Sequence, residues 1–298
     1  TRFENCYFGM DLFKPFLPSS GSVTSKIIGN TFTSQYDQMK APFDWASNSV
    51  FKIGDDKSSV GDNGLSGRYV SLVGLQFSKP FKFTNPEDFV GNQFINSAFG
   101  VFYQNENGTA SPSETPFVSG NTFTNCHLAS IYTNGCYNFN AVNNTINMAS
   151  TSEDLMTFQM DGPGAFWLDN GHINAGTIPA LQLRSFGIHL GKDGCSQSIT
   201  RTLENNTIVN TAAEITSAVS VGHYGIFNYG LPGNEHVFKK NTVQNMEYGI
   251  VSSYGAGSSK ANISGNILRD NQYNVLLKNT SNSGIASLDF TLKCNQFK

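Results

Sequence analysis

The chain has 298 residues and carries 19 Lys+Arg against 22 Asp+Glu, a net charge of −3. Charged residues make up only 14%, well below the roughly 25% usual in soluble domains, and polarity comes instead from 33 Asn, 29 Gly and the hydroxyl residues. This balance disfavours nucleic-acid binding, which relies on clustered Lys and Arg to neutralise phosphates, and no apolar stretch approaches the roughly 18 residues of a membrane-spanning helix. Five cysteines, Cys6, Cys126, Cys136, Cys195 and Cys294, are too sparse for a disulfide-stapled domain and show no C-x-x-C spacing. They read as structural thiols. The chain opens at Thr1 without a visible leader, which reads as a mature or excised piece.

Taken in chain order, one phrase recurs: Gly or Asn, then Asn, any residue, and an apolar residue. A degenerate copy opens the chain at Thr1-Arg2-Phe3. Clear copies follow at Gly29-Asn30-Thr31-Phe32, Gly91-Asn92-Gln93-Phe94, Gly120-Asn121-Thr122-Phe123 and Asn143-Asn144-Thr145-Ile146. The series continues through Asn205-Asn206-Thr207-Ile208, Lys240-Asn241-Thr242-Val243 and Gly265-Asn266-Ile267-Leu268 to Cys294-Asn295-Gln296-Phe297. From Asn30 onward the steps are 62, 29, 23, 62, 35, 25 and 29 residues. Short steps cluster in the twenties, and each 62 reads as about two of them with an insertion. A period of this size means a repeat architecture.

A second phrase, aromatic or small, then Gly or small, then apolar, runs in phase with the first. It reads Phe99-Gly100-Val101, Ala129-Ser130-Ile131, Phe186-Gly187-Ile188, Tyr224-Gly225-Ile226, Tyr248-Gly249-Ile250 and Tyr273-Asn274-Val275. Short runs rich in Val, Ile, Phe, Tyr and Thr suit pleated strands, and helical patterning is nearly absent, Thr211–Val219 being the one segment that could be a short helix or a loop. The prediction is an all-β, right-handed parallel β-helix of roughly 9–11 coils with loop insertions. It forms a single domain over 1–298, with insertions at 147–187 and 209–222. Phe32, Phe94, Phe123, Ile146, Ile208 and Val243 should stack as one interior column, and Val101, Ile131, Ile188, Ile226, Ile250 and Val275 as another. The recurrent Asn reads as a structural ladder: Asn tolerates left-handed backbone, and its amide can bond to the backbone or to the next Asn.

The repeated Gly-Asn-x-Phe-x-Asn phrase resembles the parallel β-helix repeat of the pectate-lyase-like superfamily, which includes polysaccharide lyases, polygalacturonases, alginate epimerases, phage tailspikes and adhesin stalks. The Cys-Asn-x-Phe ending and the Asn-Thr-Phe-x-Asn-Cys variant at 121–126 further resemble secreted surface proteins of Bacteroidetes. This resemblance implies a secreted or cell-surface location. It specifies fold strongly and function weakly. Both ends fall inside a repeat phrase without a polar cap, so a longer parent chain is expected, with neighbouring domains or a homo-oligomer as partners.

Catalytic patterns are thin. Gly54-Asp55-Asp56 and Ser220-Val221-Gly222-His223 superficially resemble polygalacturonase motifs but lie several coils apart, with no Asn-Thr-Asp or Arg-Ile-Lys beside them. Uronate lyase chemistry needs a Ca²⁺ site of several carboxylates and a Lys or Arg base, and the acidic residues are scattered. No cofactor is expected, Ca²⁺ being the alternative, and no metal site is read from the separated His189 and His223. Five Asn-x-Ser/Thr sequons, at Asn107, Asn143, Asn205, Asn262 and Asn279, are near chance in a chain so rich in Asn and Thr.

The first insertion carries the densest chemistry: Glu153, Asp154, Asp161, Trp167, Asp169, His172 and Arg184, with His189, Lys192 and Asp193 following. Insertions on a solenoid are where function usually lives. Trp167 with Asp161 and Asp169 would make a sugar platform; the stronger alternative is that Phe166 and Trp167 pack the loop on the flank. Strand alternation also points Phe102, Tyr132, His189, Phe227, Val251 and Leu276 outward, an aromatic stripe that would either grip a glycan or, the favoured reading, be covered. Ligand-binding candidates are therefore Trp167, Asp161, Asp169, Phe102, Tyr132 and Phe227, with a polysaccharide or surface glycan as partner. The expected function is an adhesin-like or stalk-like surface segment. The alternative is a polysaccharide lyase or glycoside hydrolase acting through Asp161, Asp169, Arg184 and His189.

Overall fold

The structure, a computed structural model, describes residues 1–4, 8–12, 27–33, 73–77, 89–95, 99–104, 117–126, 129–134, 138–148, 165–166, 173–174, 185–191, 199–211, 223–230, 235–254, 259–279 and 288–298. These residues form strands and the corners between them, with no helix among them. The strands assemble into three long parallel sheets of nine, eight and six strands. The first sheet runs from Arg2–Glu4 through Thr31–Thr33, Gln93–Ile95, Thr122–Thr124 and Thr145–Met148 to Gln296–Phe297. The second includes Phe99–Gln104, Ala129–Asn134, Ser185–Leu190, His223–Gly230, Tyr248–Tyr254 and Tyr273–Asn279. The third includes Phe139–Val142, Thr200–Glu204, Glu235–Lys239, Ser259–Ser264 and Leu288–Lys293. Spatial order follows chain order in each sheet, so successive circuits stack strand on strand along the same walls, and each 62-residue step spans one circuit rather than two, since Asn30 bonds directly to Asn92 and Asn144 to Asn206. The fold is a parallel β-helix.

The interior columns are those the sequence predicted. Phe32, Phe94, Phe123, Ile146, Ile208 and Val243 are in register on successive strands, and all are fully buried. The phenyl rings of this column lie face to face, Phe32 on Phe94 at 4.8 Å and Phe94 on Phe123 at 4.9 Å. Val101, Ile131, Ile188, Ile226 and Ile250 form the second column, also fully buried, while Val275 is partly buried against the core. A third column, which the repeat phrase does not mark, joins Val118, Ala141, Leu203, Phe238 and Ile263.

The asparagine ladder divides its work between two residues. The residue before each ladder Asn takes left-handed backbone: φ is +63° at Gly29, +70° at Gly91, +62° at Gly120, +58° at Asn143, +57° at Asn205, +52° at Lys240 and +56° at Cys294. Only glycine adopts this region without penalty, and Asn adopts it more readily than other side chains, which is why Gly or Asn precedes the ladder position in six of the eight coils, Gly265 (φ +66°) among them, Lys240 and Cys294 being the exceptions. The ladder Asn itself is not among the left-handed residues; its work is hydrogen bonding. Asn206, fully buried, donates its backbone N–H to Asn241 Oδ1 at 3.0 Å and its Nδ2 to the same oxygen at 2.9 Å. The other Nδ2 hydrogen goes to the Ala141 carbonyl at 2.8 Å, tying the first sheet to the third. Asn241 and Asn266 repeat this arrangement one coil and two coils on.

Glycine in the second phrase has a packing cause. A Cβ on Gly187 would lie 2.6 Å from both Ile208 Cγ2 and the Gly225 carbonyl oxygen. The position points into the core, as does the next residue, Ile188. Two successive inward residues mean that strand alternation breaks at this glycine.

Two substitutions test these roles by chemical denaturation. Asn206→Ala removes the acceptor of both the backbone N–H and the side-chain amide of Asn144, and should lower stability by about 1–3 kcal/mol for each buried group left without a partner. Gly187→Ala forces a methyl against Ile208 and should cost about 1–3 kcal/mol by overpacking.

Candidate functional site

Of the candidates in the first insertion, Asp161, Trp167, Asp169 and Arg184 lie outside the described residues, as do Glu153, Asp154, His172, Lys192 and Asp193. So do Asp55 and Asp56, and most of Thr211–Val219. Within that insertion the backbone of Ala165–Phe166 pairs antiparallel with Ile173–Asn174, Phe166 opposite Ile173.

The flank candidates are placed. Phe102, Tyr132, His189, Phe227, Val251 and Leu276 align in register on successive strands of the second sheet. The stripe exists, and its middle is covered: Tyr132 is 2% exposed, His189 1%, Phe227 7% and Val251 2%. Tyr132 stacks on His189 at 4.5 Å with an interplanar angle of 5°, and His189 on Phe227 at 5.3 Å and 0°. A stacked ring gives its faces to its neighbours, so Tyr132 and Phe227 present no flat platform to a sugar.

A second aromatic column, which alternation did not place there, runs beside the first. Phe186, Tyr224, Tyr248 and Tyr273 stack at 5.1, 4.8 and 5.1 Å. They interlock edge-on with the first column, Phe186 against His189 at 4.7 Å and Tyr224 against Phe227 at 5.4 Å. Regular alternation would put residues three apart on opposite faces. The break at Gly187 and Gly225 puts them on one. The sequence carried this signal in its aromatic-Gly-apolar phrase. Burial fades along the column toward Tyr273, which is 48% exposed.

A polar cluster inside the helix was also missed. Arg201 is 1% exposed on the inner face of the third sheet, beside fully buried His236 on the next strand. Its guanidinium donates from Nη1 to Asn228 Oδ1 at 2.9 Å and to the Leu190 carbonyl at 3.4 Å, and from Nη2 to the Gly191 carbonyl. Asn228 in turn donates to Ser252 Oγ at 3.1 Å. Burial lowers the Arg201 pKa to about 9, so it remains charged at neutral pH. Burial first, and the Arg201 charge second, push His236 down to about 3. Burial alone pushes His223 down to about 4; its Nδ1 has no hydrogen-bond partner among the described residues. Alternation along Ile199, Arg201 and Leu203 would have placed Arg201 inward. Enclosed as it is, the cluster clamps the end of Ser185–Leu190 to the neighbouring coils.

Among the described residues no group of three or more His, Cys, Asp or Glu is arranged to hold a metal ion. Family models, curated proteins and solved structures were compared with the chain, and none matches it. What the fold and site define is the class, a parallel β-helix with an internal asparagine ladder.

The histidines give this class member an acid sensitivity. His236 and His223 are neutral in the fold, with pKa values of about 3 and about 4 against an ordinary 6.5. Between those values the unfolded chain binds more protons, so stability falls as pH drops below about 6.5. Melting temperature followed from pH 7 to about pH 4 should decline, and His236→Phe should flatten that decline.

Proposed function

We propose that this chain is a rigid, non-catalytic segment of a secreted or cell-surface β-helix, adhesin-like or stalk-like, that displays its insertions to a polysaccharide or surface glycan. The observation that supports this reading is the indifference of the ladder to insertion. Across the 62-residue step, Asn144 bonds to Asn206 Oδ1 at 3.1 Å from its backbone and 2.9 Å from its side chain. Across the 25-residue step, Asn241 bonds to Asn266 Oδ1 at 2.8 and 3.0 Å. The coil register is the same whether or not a long segment intervenes, as a rod that carries modules requires. Function in such a protein belongs to what projects from the rod. Asp161, Trp167 and Asp169, in the first insertion, are the contacts proposed for a glycan, aromatic face on sugar ring and carboxylates on hydroxyls. No cofactor is invoked.

The test is a panel of neutral and acidic polysaccharides, with and without Ca²⁺, scored both for retention of the protein and for release of reducing ends. Retention without release, weakened by Trp167→Ala, is the expected result. Release of reducing ends from any member would replace this reading with the lyase or glycoside hydrolase alternative and direct mutagenesis to Asp161, Asp169, Arg184 and His189.

A further inference from the structure

The corners of the coil accept added chain very unequally. Each of the six strands of the third sheet passes into the first sheet through two residues, and Ile27–Ile28 and Phe89–Val90 enter it in the same way. Those two residues are the left-handed corner and the ladder Asn, both hydrogen-bonded to the neighbouring circuit, so an inserted residue would break the rung. The corner from the first sheet to the second is different. It takes residues 245–247 after Gln244 and 270–272 after Arg269, but 34–72 after Thr33, 149–184 after Met148 and 211–222 after Asn210.

Two of these insertions share a root. Met148 and Asn210, where they leave, are in register on neighbouring strands, and so are Ser185 and His223, where they return. All four residues are more than nine-tenths buried. Thr211, which opens the second insertion, donates to the Met148 carbonyl from its backbone N–H at 2.8 Å and from its hydroxyl at 3.1 Å. Adjacent strands lie about 4.8 Å apart, half the roughly 10 Å that a layer with its side chains occupies. The two roots are therefore one continuous base. The segment 34–72, by contrast, is rooted three strands from Met148 in the same sheet.

Charge selects what such a pair of segments would hold. Residues 149–184 carry Glu153, Asp154, Asp161 and Asp169 against Arg184, and 212–222 carry Glu214 and no basic residue. Five carboxylates against one arginine give 1 − 5 = −4 at one corner of a chain whose total is −3. That field repels a polyuronate, whereas sugar hydroxyls donate to carboxylates.

We propose that 149–184 and 212–222 together form one site for a neutral glycan, with Glu214 accepting sugar hydroxyls as Asp161 and Asp169 do. The site rests on the glycan reading above, to which it adds a second segment and a class of sugar.

Retention on neutral and acidic polysaccharides is compared for the full chain, Trp167→Ala, Glu214→Ala, the two changes combined, and Glu235→Ala on the third sheet, each variant checked by its melting temperature. Expected are retention on a neutral member and not on a polyuronate, and an affinity loss of about threefold or more for Glu214→Ala. The combined loss should be smaller than the product of the single losses, as for residues that share a site, and Glu235→Ala should cost nothing. Should Glu214→Ala melt early, replacing 213–220 with Gly and Ser makes the same comparison. Retention that Trp167→Ala weakens but changes in 212–222 leave intact would overturn the shared site while the glycan reading stands, as would losses that multiply, a loss for Glu235→Ala or a preference for polyuronates. No retention on any member would overturn both.

Discussion

A coil of a solenoid cannot bury its own apolar face, and everything else in this structure follows from that constraint. Each circuit contributes one inward residue or a few to each wall, and these are covered only when the next circuit lies on top in register. A slip of one residue would turn every inward side chain out. The asparagine ladder prevents the slip. Two donors of one Asn converge on a single oxygen of the next, and the remaining amide hydrogen reaches across to the third wall. Register and cross-section are thus fixed by one side chain per coil.

With the interior so uniform, the three outer walls diverge. The first presents mainly hydroxyls and amides over its middle strands, the second a double rank of aromatic rings, and the third alternating charges such as Glu235, Lys260 and Asp289 in register on successive strands. The aromatic rank spends its ring faces on itself. Tyr132, His189 and Phe227 stack along the axis, and Phe186 and Tyr224 close against their edges. Inside, Arg201 and His236 join the buried asparagines among the apolar columns, and the arginine is held by carbonyls and by Asn228.

The sequence was legible where one physical rule acts alone. The period, the Phe and Ile columns and the ladder all obey one residue type at one spacing, and each emerged as expected. Readability failed where two rules meet. Phe186 and Tyr224 were taken only as markers of a phrase, because the inward glycine beside them suspends the alternation used to assign faces. Arg201 and His236 obey alternation but contradict the expectation that inward means apolar. Asn was credited with both the left-handed corner and the hydrogen bonds, whereas the residue before it takes the corner. The candidate site was legible only in outline: an insertion announces itself as a break in period, but the break says nothing of how Asp161, Trp167 and Asp169 are disposed. A phrase that serves enzymes and spacers alike identifies a wall and no reaction.

The uneven steps of the ladder have a kinetic side. Closing a chain loop costs more entropy the longer it is, and about 0.6 kcal/mol is added for each doubling of length. From Asn206 to Asn295 the steps are 35, 25 and 29 residues, but Asn144 must find Asn206, and Asn30 must find Asn92, across 62. Coil formation therefore begins most cheaply within Asn92–Asn144, where the steps are 29 and 23, and among the circuits after Asn206, with the pairing of Asn30 to Asn92 and of Asn144 to Asn206 as the late events. The same two junctions are where a rod pulled from its ends would first release stored chain length, so the insertions set both the order of its assembly and the places where it yields.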